Sequence, residues 1–140
     1  MVAVSLKKKI LVVTTPQMAA AEVAERAGAI ALQTRQRIVG VVENMSGLVL
    51  PDGSTMALFG EGGGKQVSER LSRAVGADVP LLGQIPLDPA LVEAGDSGVP
   101  LVLSAPDSAA GRELRTIADK LAGRKRGLAG MSLGLDPAGR

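Results

Sequence analysis

The sequence predicts an α/β fold, a parallel sheet of about four strands with helices on both faces. Short β-branched runs such as Ile10-Leu-Val-Val13 alternate with segments whose apolar residues recur at helical spacing. Runs of that kind suit strands buried on both faces, and the alternation predicts parallel neighbours joined by right-handed crossovers. Aromatic residues are nearly absent, so Val, Leu, Ile, Ala and Met must fill the core. A chain of 140 residues is the size of one domain and can bury about 70% of its unfolded surface.

Residues 1–9 form an atypical lead with no recognisable counterpart. The first strand, Ile10 to Val13, ends at Thr14-Thr15-Pro16, and Pro16 can open a helix. From Gln17 to about Gln36, residues Ala20, Val23, Ala24, Ala27, Ile30 and Ala31 recur at helical spacing, predicting a face packed on the sheet. Ile38 to Glu43 is the second strand. Residues 44–64 carry weak periodicity and many turn formers, including Pro51-Asp52-Gly53, and read as an exposed excursion. Lys65 to Val75 is helical, with Val67, Leu71 and Val75 on one stripe and Gly76 near its end. Val79 to Ile85 is the third strand, closed by Pro86. A short helix, Pro89 to Ala94, and the turn Gly95 to Gly98 lead to a fourth strand, Pro100 to Leu103. Asp107 or Ser108 caps a last helix to about Ala122, with Leu114, Ile117, Ala118 and Leu121 inward. The domain therefore spans 10–122. Residues 123–140 read as a flexible tail, with Leu128, Met131 and Leu133 available to a partner.

Composition narrows the function. An apolar fraction of 46% with 21% charged residues fits a soluble globular protein. Phe59 is the single aromatic residue, so there is no platform for stacking nucleic-acid bases. A net charge of +2 is too small to argue for DNA, and Arg124-Lys125-Arg126 reads as a solvated helix end. The chain has no cysteine and no histidine, which excludes disulfides, thiol nucleophiles and the two commonest zinc ligands. No apolar run approaches the roughly 18 residues of a membrane span, and no signal-peptide layout is present. No membrane or nucleic-acid partner is expected, and the chain reads as cytoplasmic.

The glycine cluster Gly60-Glu-Gly-Gly-Gly64-Lys65 suggests a Walker A loop, but position 59 is Phe and position 66 is Gln. The motif needs Gly and Ser or Thr there. What remains is a loop into a helix, with room for a weak anion site at the helix N-terminus. Asn44 ends a predicted strand, and its amide offers the paired donor and acceptor that match an adenine edge. The two prolines of Ile85-Pro86-Leu87-Asp88-Pro89 fix a rigid loop that suits an apolar wall for a flat base, or simply ends a strand. Glu43, Asp88, Asp96 and Asp107 lack a partner base or ligand spacing and read as solvated turns and caps. No catalytic or metal-ligating residue is assigned.

Taken together, five stretches resemble the Mrp/ApbC family of P-loop ATPases, iron–sulfur cluster carriers related to MinD. They are Val12-Val-Thr-Thr-Pro-Gln17, Gly40-Val-Val-Glu-Asn-Met-Ser46, Phe59-Gly-Glu-Gly-Gly-Gly64, Pro80 to Pro89 and Gly95-Asp-Ser-Gly98. Order and spacing agree over about residues 11–122. The resemblance implies the C-terminal half of a P-loop NTPase fold, ATP as ligand, a homodimer or a P-loop-bearing half as partner, and iron–sulfur client proteins. By the same resemblance Asn44 contacts adenine, and Pro86, Leu87 and Asp88 line the base pocket.

Two departures bear on activity. The family's N-terminal half, with its Walker A lysines and Mg²⁺-binding aspartates, has no match here, and Lys7-Lys8-Lys9 lacks the flanking glycines. The family's Cys-x-x-Cys aligns with Leu50-Pro51-Asp52-Gly53, and holding a cluster in that way needs thiolates. The expectation is the adenine side of a nucleotide site and a dimer surface, with no hydrolysis by this chain alone and no cluster bound. The alternative is a non-enzymatic interaction module of the same fold. Because the chain starts near the middle of a sheet, its first strand is expected to leave an exposed edge, open to self-association.

Overall fold

The computed structural model describes residues 2–6 and 8–126. In chain order the elements are β1 (Val2–Leu6), β2 (Lys9–Thr14), α1 (Ala20–Gln33), β3 (Arg37–Val49), β4 (Thr55–Met56), α2 (Gly63–Val75), β5 (Leu81–Leu87), α3 (Pro89–Ser97), α4 (Leu101–Ser104) and α5 (Ala109–Arg126). β2, β3 and β5 run parallel, with β3 in the middle. β1 lies antiparallel to β2, and β4 lies antiparallel to the far end of β3, so the sheet is mostly but not purely parallel.

The helices cover both faces because neighbouring strand residues point in opposite directions. Val41 joins Ile10, Val12, Val67, Leu71 and Val79 in a cluster under α1 and α2. Val42 joins Leu82, Ile85, Leu101, Ala110 and Ile117 in a second cluster under α3, α4 and α5. Each core is aliphatic, as the composition requires.

Several expectations are corrected. Pro100 to Leu103 does not form a strand: Leu101–Ser104 is one helical turn, in which the N–H groups of Leu103 and Ser104 donate to the Pro100 carbonyl at 2.8 and 3.1 Å. A four-residue apolar run carries no period of its own, and here it closes over α5 rather than joining the sheet. The fourth and fifth strands come from elsewhere. One is the lead, whose Val2–Leu6 pairs with β2 and so fills the side expected to be open. The other is β4, within the expected excursion. β3 continues through Asn44 to Val49 and turns back through Pro51-Asp52-Gly53, where Asp52 accepts from the amide and hydroxyl of Ser54 at 2.9 and 2.6 Å. Residues 44–48 are buried or half-buried, whereas 51–62 are exposed.

β5 is also shifted from its expected bounds: it starts at Leu81 rather than Val79 and runs through Pro86 to Leu87. β3 shifts register between Asn44, opposite Ile85, and Leu48, opposite Leu87. Pro86 therefore falls where the ladder asks for no N–H. α1 starts at Ala20, and Val23 and Ile30, expected inward, are 45% and 55% exposed. The reason is that α2 takes the sheet face and α1 packs chiefly on α2, where buried Gly28 lies against Leu71 and Ala74, while Ala31 joins the core. On α5, Ile117 is buried and Leu114 and Leu121 half-buried, but Ala118 faces solvent. α5 reaches Arg126, beyond the expected end, and the rest of the expected tail, 127–140, lies outside the described residues.

Candidate functional site

The carboxyl ends of β2, β3 and β5 meet at one end of the sheet, where open α/β sheets bind ligands. In register they place Thr14 beside Glu43, Glu43 beside Gln84, and Asn44 beside Ile85. The N-terminus of α2 docks on this same end. Gly63 N–H donates to the Pro16 carbonyl at 3.1 Å, and Gly64 N–H donates to Glu43 Oε2 at 2.6 Å. The glycines are needed for this approach. A methyl group on Gly64 would come within 2.7 Å of Glu43 Cβ, and one on Gly63 would overlap the Pro16 carbonyl.

The glycine cluster is thus a docking surface rather than a phosphate loop. Its first two helical amides are already occupied from within the chain. The weak anion site considered for this helix N-terminus is overturned at those two amides, because the Pro16 carbonyl and the Glu43 carboxyl group already accept from them.

Glu43 is the residue that sequence reasoning misplaced. In place of the expected solvated turn position, it is 1% exposed. Its second oxygen, Oε1, accepts from Gln84 Nε2 at 2.8 Å, so both carboxyl oxygens are satisfied. A signal was present: an acidic residue closing an apolar run in a strand buried on both faces must have partners, because an unpaired one is costly. Its neighbour Thr14 is also 1% exposed, and its Oγ1 has no hydrogen-bond partner among the described residues.

The residues singled out for base binding lie together in part. Asn44 is half-buried at the end of the continuous β3–β5 ladder. Its Oδ1 accepts from Met45 N–H at 2.9 Å, and Met45 adopts a left-handed φ of 61°. That bond orients the amide and leaves Nδ2 without a partner among the described residues. Pro86 and Leu87 are half-buried in the adjoining β5 segment and can form an apolar wall beside it.

Asp88 has different work. Its Oδ1 accepts from Ala90 N–H and its Oδ2 from Ala110 N–H, both at 3.0 Å, so one carboxylate serves the N-termini of α3 and α5 together. The Ala110 N–H, helped by Ala90, the Ser108 hydroxyl and the Arg112 charge, holds the Asp88 carboxyl below the usual carboxylate range despite partial desolvation. Ser108 Oγ accepts from Gly111 N–H at 3.0 Å, which makes it the cap expected for the last helix. Asp107 instead forms an exposed ion pair with Arg115 at 3.1 Å.

The donor set does not suit an iron–sulfur cluster. The segment aligned with the paired cysteines is the exposed hairpin turn at Leu50 to Gly53, and no thiolate exists in the chain. Among the described residues no group of three or more acidic side chains could hold a metal ion, and no helix is long and apolar enough to cross a membrane.

Comparison with known proteins agrees with this architecture. The chain is 83% identical over 132 residues to the iron-sulfur cluster carrier protein of Mycobacterium tuberculosis, covering 94% of this chain and 35% of that protein. It thus spans about a third of the length of the curated relative it matches. The fold superposes on the cell division ATPase MinD of Pyrococcus furiosus with a TM-score of 0.61 at 21% identity, over 84% of this chain and 43% of the other. It superposes on an ADP-bound nucleotide-binding protein of Archaeoglobus fulgidus with a TM-score of 0.53 at 33% identity, over 66% and 36% of the respective chains. The profile of the NUBPL iron-transfer P-loop NTPases matches residues 1–122, and the chain belongs to that family.

Proposed function

We propose that this chain forms the base-binding side of the nucleotide site in an ATP-binding iron–sulfur cluster carrier, without contributing a cluster ligand. The observation that supports it most directly is the pairing of Asn44 with Ile85, which sets a side-chain amide next to the Pro86–Leu87 wall. An amide beside an apolar wall matches a flat heterocycle with a donor and acceptor on its edge. In this reading Asn44 reads the base, Pro86 and Leu87 pack on it, and Asp88 fixes the loop by holding α3 and α5. Charge stabilisation of phosphoryl transfer requires a P-loop lysine and Mg²⁺, which a P-loop outside these residues supplies. The chain alone therefore binds nucleotide and does not turn it over. The assembled carrier acts in the cytoplasm as a homo-oligomer that passes clusters to client proteins.

The test is calorimetric titration of Mg-ATP into the chain and its Asn44→Ala variant. Removing the amide is expected to weaken binding about tenfold, the value of a lost hydrogen bond or two. Equal affinity in the two proteins would remove Asn44 from the site. No binding to either would favour an interaction module that has kept the fold and lost the nucleotide, the reading to which the missing thiolates also point.

A further inference from the structure

We infer that Glu43 is the positioning residue of the base-binding side, the side chain that sets the distance between Asn44 and the Pro86–Leu87 wall. The inference rests on the nucleotide-site reading above and deepens it. Three elements meet at this end of the sheet: β3 and β5 are paired through their backbone ladder, whereas α2 lies on the sheet largely through aliphatic contacts, which favour burial but have no direction. Glu43 adds direction: one oxygen takes Gly64 N–H at the start of α2, and the other takes Gln84 Nε2 on β5. The strand that carries it presents Asn44 at the next position, one Cα step of about 3.8 Å away.

The β3–β5 ladder explains why this tie matters where it does. Backbone pairing runs through Asn44 and Ile85, and resumes only at Leu48 and Leu87. Over the interval that contains Met45, Ser46, Gly47 and Pro86, no ladder pair fixes one strand against the other. The Glu43–Gln84 bond lies next to the last pair before that interval. Met45, with its left-handed φ, begins it. Loss of Glu43 frees β5 to move relative to Asn44 at the place where a base would sit between them.

The test compares Glu43→Ala with Glu43→Gln in the full chain, by Mg-ATP calorimetry and by the backbone amide resonances of Asn44, Met45 and Leu87. A glutamine can accept from Gly64 N–H and donate to a reversed Gln84 amide, so it keeps both ties. Glu43→Ala is expected to weaken binding about tenfold at unchanged stoichiometry, and Glu43→Gln to stay within about threefold of the parent. The three resonances should move in the alanine variant and return in the glutamine variant. A merely structural role would lower the melting point and the fraction able to bind but leave the affinity of that fraction alone, and this result would overturn the inference. So would a glutamine variant as impaired as the alanine one.

If the parent chain binds no nucleotide, the base-site reading fails on its own. The resonances then decide for Glu43: moved and restored upholds the positioning role, unmoved overturns it. Should Glu43→Ala fail to fold, Gln84→Ala cuts the β5 tie alone and is read by the same two measurements.

Discussion

On the α2 side of the sheet a strand reaches for its helix, whereas on the α5 side the helix reaches for its strand. Glu43 extends from β3 to the Gly64 amide of α2. In the opposite sense, Glu113 of α5 accepts from the Gln84 N–H at 3.1 Å, and Lys120 Nζ donates to the Leu82 carbonyl at 2.7 Å. The difference follows from how each helix meets the sheet. α2 points its first turn at the strand ends, so its unsatisfied amides need an acceptor from the sheet. α5 lies along β5 and has its first amides served by Ser108 and Asp88, leaving its side chains to meet the strand backbone. The α2 anchor is consequently buried, while the α5 anchors, two positions apart on β5 at Leu82 and Gln84, are less enclosed.

The largest break in this comparison should come from the α2 core. Leu71, on the buried face of α2, is fully enclosed, and Leu71→Ala is expected to cost about 3 kcal/mol through lost burial and a cavity. Urea unfolding measures it, and a loss below about 1 kcal/mol would mean that α2 is not clamped as described.

Asp88→Ala should break the other side. Losing a cap shared by two helices is expected to cost about 2 kcal/mol at neutral pH. Because the folded Asp88 carboxyl titrates below its unfolded value, its stabilisation is complete above about pH 4 and is lost as pH falls through the folded value. The gap between parent and variant should therefore close in acid, and a gap that stays constant to pH 2 would contradict the double cap. The smallest effect has the opposite sign. Thr14→Val removes a buried hydroxyl with no partner among the described residues and is expected to raise stability by about 0.5–1 kcal/mol. A destabilised variant by thermal melting would show that the hydroxyl is satisfied in solution.

Much of the fold could be read from the chain because its signals were local. β2 and the first part of β3 followed from β-branched runs, α2 from the spacing of Val67 and Leu71 with Gly76 as its left-handed stop, and α5 from a Ser108 cap. Where reading failed, the deciding interaction was distant or the local signal was shared by two structures. Leu101 to Ser104 is too short to show a period. Glu43 finds Gly64 twenty-one positions away and Gln84 forty-one away, separations at which no spacing rule applies. Of the four residues named for the base, Asn44, Pro86 and Leu87 gather where the continuous β3–β5 ladder breaks off. The role of Asp88 as a cap is legible in Asp88-Pro89, the sequence of an N-cap followed by a first-turn proline.

The polar reach of α5 has one more consequence. Among the described residues β5 has a strand neighbour on β3's side alone. On its other flank the Leu82 carbonyl and the Gln84 N–H are already bonded to Lys120 and Glu113. An incoming extended peptide would find those two groups taken and a charged helix in the way, so the sheet cannot be lengthened there by a foreign chain. Helix α5 thereby guards against template-driven aggregation at the flank nearest the proposed base pocket.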